Sequence, residues 1–244
     1  SLVQATGQNF VHRADDGTYY SNIDSPEIER AEQMLYDLTK NGCTYHEGNN
    51  YWAMRNDVYG GGMKEGLCLF YICETSFFTD TVEEISAVWG DITNGELMFA
   101  PLPRDDSGDG NYYLLTQVSG YMICEGASNP EGAALLATCE RFKIIDPTVI
   151  DIDRNQLKQK YLWTEEMLEM YDTCKEIAQA NPRAIVTGDM TDNLNSIIST
   201  FQYGPCRSDN PSTWAQVKEQ NRDALDYYLE ELNTMMAELA ESGT

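Results

Sequence analysis

The sequence predicts an α/β fold, with strand-like segments alternating with helices before a helical tail. Three observations carry that expectation. Residues 67–73 form a continuous apolar run rich in strand formers, as a strand buried on both faces would be. Helix starts are announced at Ser25-Pro26 and Asn129-Pro130, where a capping residue meets a proline suited to the first turn, and at Pro211-Ser212-Thr213. From Thr164 onward, apolar residues recur mainly at helical spacing.

In chain order, Asp16-Gly17 supplies turn chemistry, and an extended piece follows to Asp24. A helix then opens at Ser25-Pro26-Glu27, with Ile28, Ala31, Met34, Leu35 and Leu38 as its apolar stripe and Asn41-Gly42 as its stop. Residues 43–65 are polar, aromatic and glycine-rich, and read as a loop with a possible short helix at 51–58. The strand at 67–73 comes next, then a short helix at 81–89. A strand at 96–100 is ended by Pro101 and Pro103. An exposed turn at 104–110 leads to strands at 112–118 and 121–124. The helix after Asn129-Pro130 uses Ala133, Leu136, Cys139 and Phe142 as its face. Thr164 caps a helix with Leu168, Tyr171 and Cys174 inward, residues 194–201 form another, and a long one after Thr213 carries Val217, Leu225, Leu229 and Leu232.

Composition narrows the function. The 244 residues are 42% hydrophobic and 11% aromatic, which fits a packed core. With 40 acids against 16 bases the net charge is −24, a field that repels nucleic acid and anionic membrane surfaces. The apolar run at 67–73 is far shorter than the roughly 20 residues a bilayer span needs. Residues 1–10 have no basic start and no long apolar stretch, so no signal peptide is expected there. Seven cysteines occur without a CxxC pair or zinc-ribbon spacing, and no metal or other cofactor is expected; Cys68, Cys139 and Cys174 read as small core residues.

Catalytic constellations are thin. His12 and His46 are the two histidines, both in polar stretches, and read as surface residues. Gly60-Gly61-Gly62 precedes a strand, whereas a phosphate loop follows one. Asp105, Ser107, Asp109 and Gly110 imitate half a calcium loop, but Thr116 stands where a bidentate acid is needed, so a turn is expected. Acids are plentiful, and nothing selects a glycosidase pair among them. Aromatics are more informative. Tyr51, Trp52, Tyr203 and Trp214 fall outside the apolar stripes, and a ring beside polar groups suits a carbohydrate, whose C–H face stacks while its hydroxyls hydrogen-bond.

Several segments, in order, resemble the extracellular solute-binding proteins of bacterial sugar ABC importers, the maltose-binding-protein-like family 1. They are Asp16-Gly-Thr-Tyr-Tyr-Ser-Asn-Ile-Asp-Ser-Pro-Glu-Ile, Gly62-Met-Lys-Glu-Gly-Leu-Cys-Leu-Phe-Tyr-Ile, Met98-Phe-Ala-Pro-Leu-Pro-Arg, Ser119-Gly-Tyr-Met-Ile with Ser128-Asn-Pro-Glu-Gly-Ala-Ala, and Trp214-Ala-Gln-Val-Lys. The resemblance starts partway through the family pattern. It implies a periplasmic-binding-protein-like type II lobe with a helical C-terminal part: residues 1–100 as the first part of the C-terminal lobe, 101–150 as the crossover and returning segment of the N-terminal lobe, and 151–244 as the helical remainder. It implies the substrate-binding component of an ABC importer rather than an enzyme: an extracellular, lipid-anchored monomer that captures a small-molecule carbohydrate and meets the permease subunits. Carried over residue by residue, Trp214 matches a stacking ring and Lys218 an arginine one helical turn on, and Tyr203, which precedes that helix, lines the cleft; Trp52 is a binding candidate from its ring beside polar groups, not from the resemblance. Glu74 and Thr75 stand where relatives place an aromatic. The competing readings are a glycosidase-type carbohydrate-active enzyme and a surface glycan-interaction module.

Overall fold

The computed structural model describes residues 2–44, 69–72, 78–79, 85–86, 89–95, 97–115, 123–183, 191–207 and 210–242. Among them the fold is mixed α/β, mostly helical, with few and short strands. The chain divides into two compact units: one of residues 1–51, 101–116 and 174–244, the other of 52–100 and 117–173. These cuts fall at different places from the segments 1–100, 101–150 and 151–244 drawn from the sequence.

The first unit begins with a one-turn helix α1 (Leu2–Ala5) and an antiparallel hairpin of β1 (Val11–Arg13) and β2 (Tyr19–Ser21), in which Val11 faces Ser21. The expected turn chemistry closes it. Asp16 Oδ1 accepts hydrogen bonds from the Thr18 amide and hydroxyl at 2.9 and 2.7 Å, and Gly17 takes φ +92°. Helix α2 (Pro26–Lys40) runs between the predicted signals, with acids in its first turn and Asn41 and Gly42 after its end. Its buried face overlaps the predicted one at Ile28 and Ala31 and departs from it beyond them. Ile28, Ala31, Glu32 and Thr39 are buried, whereas Met34 and Leu38 are exposed. Both sets obey helical spacing; the observed stripe is turned toward positions 28, 32 and 39, and it carries a carboxyl and a hydroxyl into the core.

β3 (Leu114–Leu115) pairs in parallel with β4 (Pro182–Arg183). The unit ends in α6 (Asp192–Tyr203), capped by Thr191, and α7 (Trp214–Glu241), where Thr213 and Gln216 form a reciprocal capping box. Val217, Leu225, Leu229 and Leu232 of α7 meet Phe10, Ile23, Ile28, Leu194, Ile198 and Phe201 in one core. Gly204 allows the close approach of α6 and α7, since a Cβ there would lie 2.7 Å from Val217 Cγ2.

The second unit contains α3 (Pro130–Ile145), α4 (Pro147–Tyr161) and the start of α5 (Glu165–Ala180). Asn129 caps α3 through the Gly132 amide, and Asp146, which ends α3, caps α4 through the Thr148 amide at 2.8 Å. The core gathers Phe78, Ile85, Ile92, Leu97, Trp163, Met167 and Leu168. Trp163 packs edge-on against Phe99 at 4.9 Å, and its buried Nε1–H donates to the Phe78 carbonyl at 2.8 Å.

The structure departs from the sequence expectation at several segments. In the run at 67–73, residues 69–72 form no strand, and Leu69 and Phe70 are exposed rather than buried. Residues 97–100 and 123–124 are likewise not in strands. Apolar runs this short fix neither strand nor partner unless a ladder is available to take them. The α3 face expected from Ala133, Leu136, Cys139 and Phe142 is exposed, which also removes Cys139 from the core. Cys174 is half-buried. Cys68, His46, residues 51–58, the glycine run at 60–62 and most of 81–89 lie outside the described residues.

Candidate functional site

The head of α7 is where the sequence placed the ligand. Trp214 sits there, but its ring is sealed in the core, 1% exposed, with centroids 5.9 Å from Phe10 and 5.6 Å from Phe201. The reason is register. Position 214 precedes Val217 by three residues, so the ring belongs to the same stripe as Val217, Leu225 and Leu229. No face of the ring remains for a sugar, and the stacking role assigned to Trp214 is withdrawn. Lys218 lies one turn on, with its ammonium 6.0 Å from that ring, and it is engaged by Asp24 at 3.1 Å. Arg222 grips the same carboxylate through two nitrogens at 2.8 and 2.7 Å. These hydrogen bonds and charges, Arg222 foremost, hold the Asp24 carboxyl down at about 2. Lys218 therefore ties α7 to the residues before α2. Tyr203 ends α6 with its ring half exposed, apart from the Trp214 cluster. Trp52, Glu74 and Thr75 lie outside the described residues.

A different surface joins a ring to polar groups. Between β2 and α7 runs a groove of about 540 Å³. Asn233 builds it. Its Oδ1 accepts from the Tyr19 amide at 2.7 Å, and its Nδ2 donates to the Tyr19 carbonyl at 2.8 Å, so one side chain fastens the hairpin to the helix. Tyr20 is 48% exposed at the groove. Asp226 and Glu230, one helical turn apart, present exposed carboxylates along the opposite wall, with Thr234 beyond them. Ser21 Oγ, also lining the groove, is buried without a hydrogen-bond partner among the described residues. Here a half-exposed tyrosine, its ring 5.8 Å from that of His12, and two exposed carboxylates line one groove from two elements. A wider groove of about 670 Å³ runs beside Met34 and Leu38, but the residues lining it belong to α2 alone or follow its end.

Other reactive groups among the described residues lie outside this groove. Burial pushes the Cys174 and Cys206 thiols up, away from nucleophilic character. His12 is half-buried rather than fully at the surface, and burial, with the charge of Arg183, pushes its imidazole below its ordinary range. The calcium-like segment is a turn, as expected. Asp105 accepts from Ser107 N–H and holds Arg30 at 2.6 Å, and Asp109 accepts from Asn111 N–H and from the Tyr113 hydroxyl. Among the described residues, no group of three potential ligands could hold a metal.

Glu32 is the residue sequence reading missed. It is 0% exposed, neither carboxylate oxygen has a hydrogen-bond partner among the described residues, and burial pushes the carboxyl up to about 8. Its spacing from Ile28, i to i+4, was the available signal. No protein family, curated protein or solved structure matches the chain.

Proposed function

We propose that this chain serves in the solute-binding component of a sugar-type ABC importer, an extracellular lipid-anchored protein that captures a carbohydrate or related small polar solute without covalent chemistry and presents it to the permease. The type II lobe is part of this reading, as is the ordered series of segments from Asp16 to Lys218. The observation that carries it is the groove between β2 and α7, which takes the place of the head of α7 as the ligand surface. Tyr20 offers a C–H-stacking face, and Asp226 and Glu230 accept hydrogen bonds from hydroxyls. Negative charge at the groove favours a neutral solute over an anionic one.

Titration calorimetry with a panel of neutral oligosaccharides tests this. Binding weaker than micromolar is expected for the chain alone. Tyr20→Ala should weaken it about tenfold, the worth of one stacked ring at roughly 1–1.5 kcal/mol. Absence of heat with every saccharide at millimolar concentration, or unchanged affinity in Tyr20→Ala, refutes the assignment.

A further inference from the structure

Helices α3 and α4 follow one another with Asp146 as their shared cap, and among their described side chains none is fully buried, Leu157 and Tyr161 of α4 alone packing in part against the second core. Leu135, Leu136, Phe142, Ile145, Ile150 and Ile152 are each 40–65% exposed. Helices of 16 and 15 residues are marginal in water without an apolar face to bury, and soluble monomers seldom leave so many large apolar side chains uncovered on adjacent helices.

The charge pattern indicates what covers them. Residues 130–161 hold five acids and five bases, so this stretch is neutral and the whole net charge of −24 falls on the rest of the chain. The repulsion that keeps two copies apart elsewhere is therefore absent here. Each helix also runs from acid to base. Glu131 lies in the first turn of α3 and Arg141, next to Glu140, in its last part, while Asp151 and Asp153 precede Arg154, Lys158 and Lys160 in α4, where Arg154 and Lys158 also pair with Asp172 and Glu165. In a two-fold contact whose axis crosses the helices, each helix meets its copy antiparallel, which sets the acidic part of one against the basic part of the other.

We propose that a second copy of this chain docks on the α3–α4 face, forming a symmetric antiparallel helical dimer. This departs from the monomer expected from the sequence and is independent of the groove between β2 and α7.

Sedimentation equilibrium tests it. At tens of micromolar the chain should sediment at twice 27.5 kDa. Leu135→Glu/Phe142→Glu should sediment as a monomer with an unchanged circular dichroism spectrum, since both side chains are exposed. A charge series gives an independent measure should that variant misfold. Asp151→Lys/Asp153→Lys and Lys158→Glu/Lys160→Glu should each dimerise at least tenfold more weakly alone, and an equimolar mixture should recover the wild-type affinity. A monomer at every concentration, a dimer that survives the Leu135/Phe142 change in folded protein, or a mixture no tighter than its components overturns the proposal.

Discussion

Replacing Glu32 by methionine should stabilise the first unit, and the gain should grow with pH. The carboxyl is raised from 4.5 to about 8 by burial, and neither oxygen has a hydrogen-bond partner among the described residues. A raised folded pKa means that the folded chain holds a proton the unfolded chain releases. The stability linked to Glu32 is thus complete below pH 4.5 and declines as pH rises through about 8. At 1.36 kcal/mol per pH unit, the loss reaches about 3 kcal/mol by pH 7 and about 5 kcal/mol once the group ionises fully. Methionine has similar length, no proton to release and no oxygen to leave unpaired. Urea unfolding at pH 5, 6, 7 and 8 measures the difference. With m near 2–3 kcal/mol/M for a chain this size, the variant's midpoint should lead by about 1 M at pH 7 and by much less at pH 5. The Cys206 thiol, coupled to Glu32, is itself raised and stays protonated through this range. A gap independent of pH, or a variant less stable than the parent at pH 7, refutes the account of Glu32 as an unpaired interior acid.

Trp214→Ala should cost about 3–5 kcal/mol, as truncating a fully buried ring does, and thermal unfolding checks it; a small cost accompanied by selective loss of saccharide binding would restore the ring to a ligand role. Gly204→Ala should cost about 1–3 kcal/mol in chemical unfolding, because the new methyl group meets Val217 Cγ2 at 2.7 Å and the Thr200 carbonyl at 3.0 Å. Asp24→Asn should remove a contribution below about 1 kcal/mol, since the side chain is 60% exposed and water screens the pair. With its folded pKa held at about 2 against 3.8, that contribution is present above pH 3.8 and lost as pH falls through about 2, which acid titrations of both proteins would show.

Local signals were legible wherever a residue type forces the backbone. Asp16-Gly17 gives the hairpin turn, Pro26 and Asn41-Gly42 bound α2, and the stripe from Val217 to Leu232 is the buried face of α7. The same kind of signal was present but unused at Asp146-Pro147, the cap and first turn of α4. What the sequence could not convey is which of two competing stripes faces inward. On α2 the apolar Met34 and Leu38 lie outside while Glu32 lies inside, a choice made by packing against other elements. Trp214 was misplaced for a related reason: at the first position of a helix it reads as a flanking aromatic, and only its register with Val217 puts it in the core. The groove on β2 and α7 was invisible because Tyr20 and Glu230 are brought together by tertiary packing alone.

Asn233 has a consequence beyond the groove it helps to form. By occupying both the amide and the carbonyl of Tyr19, its carboxamide imitates one residue of a neighbouring strand. The hairpin thus meets a side chain at the point where another backbone would otherwise extend the ladder. Sheet growth stops at two strands here, and an acidic helix, rather than a foreign peptide, holds the position beside Tyr19.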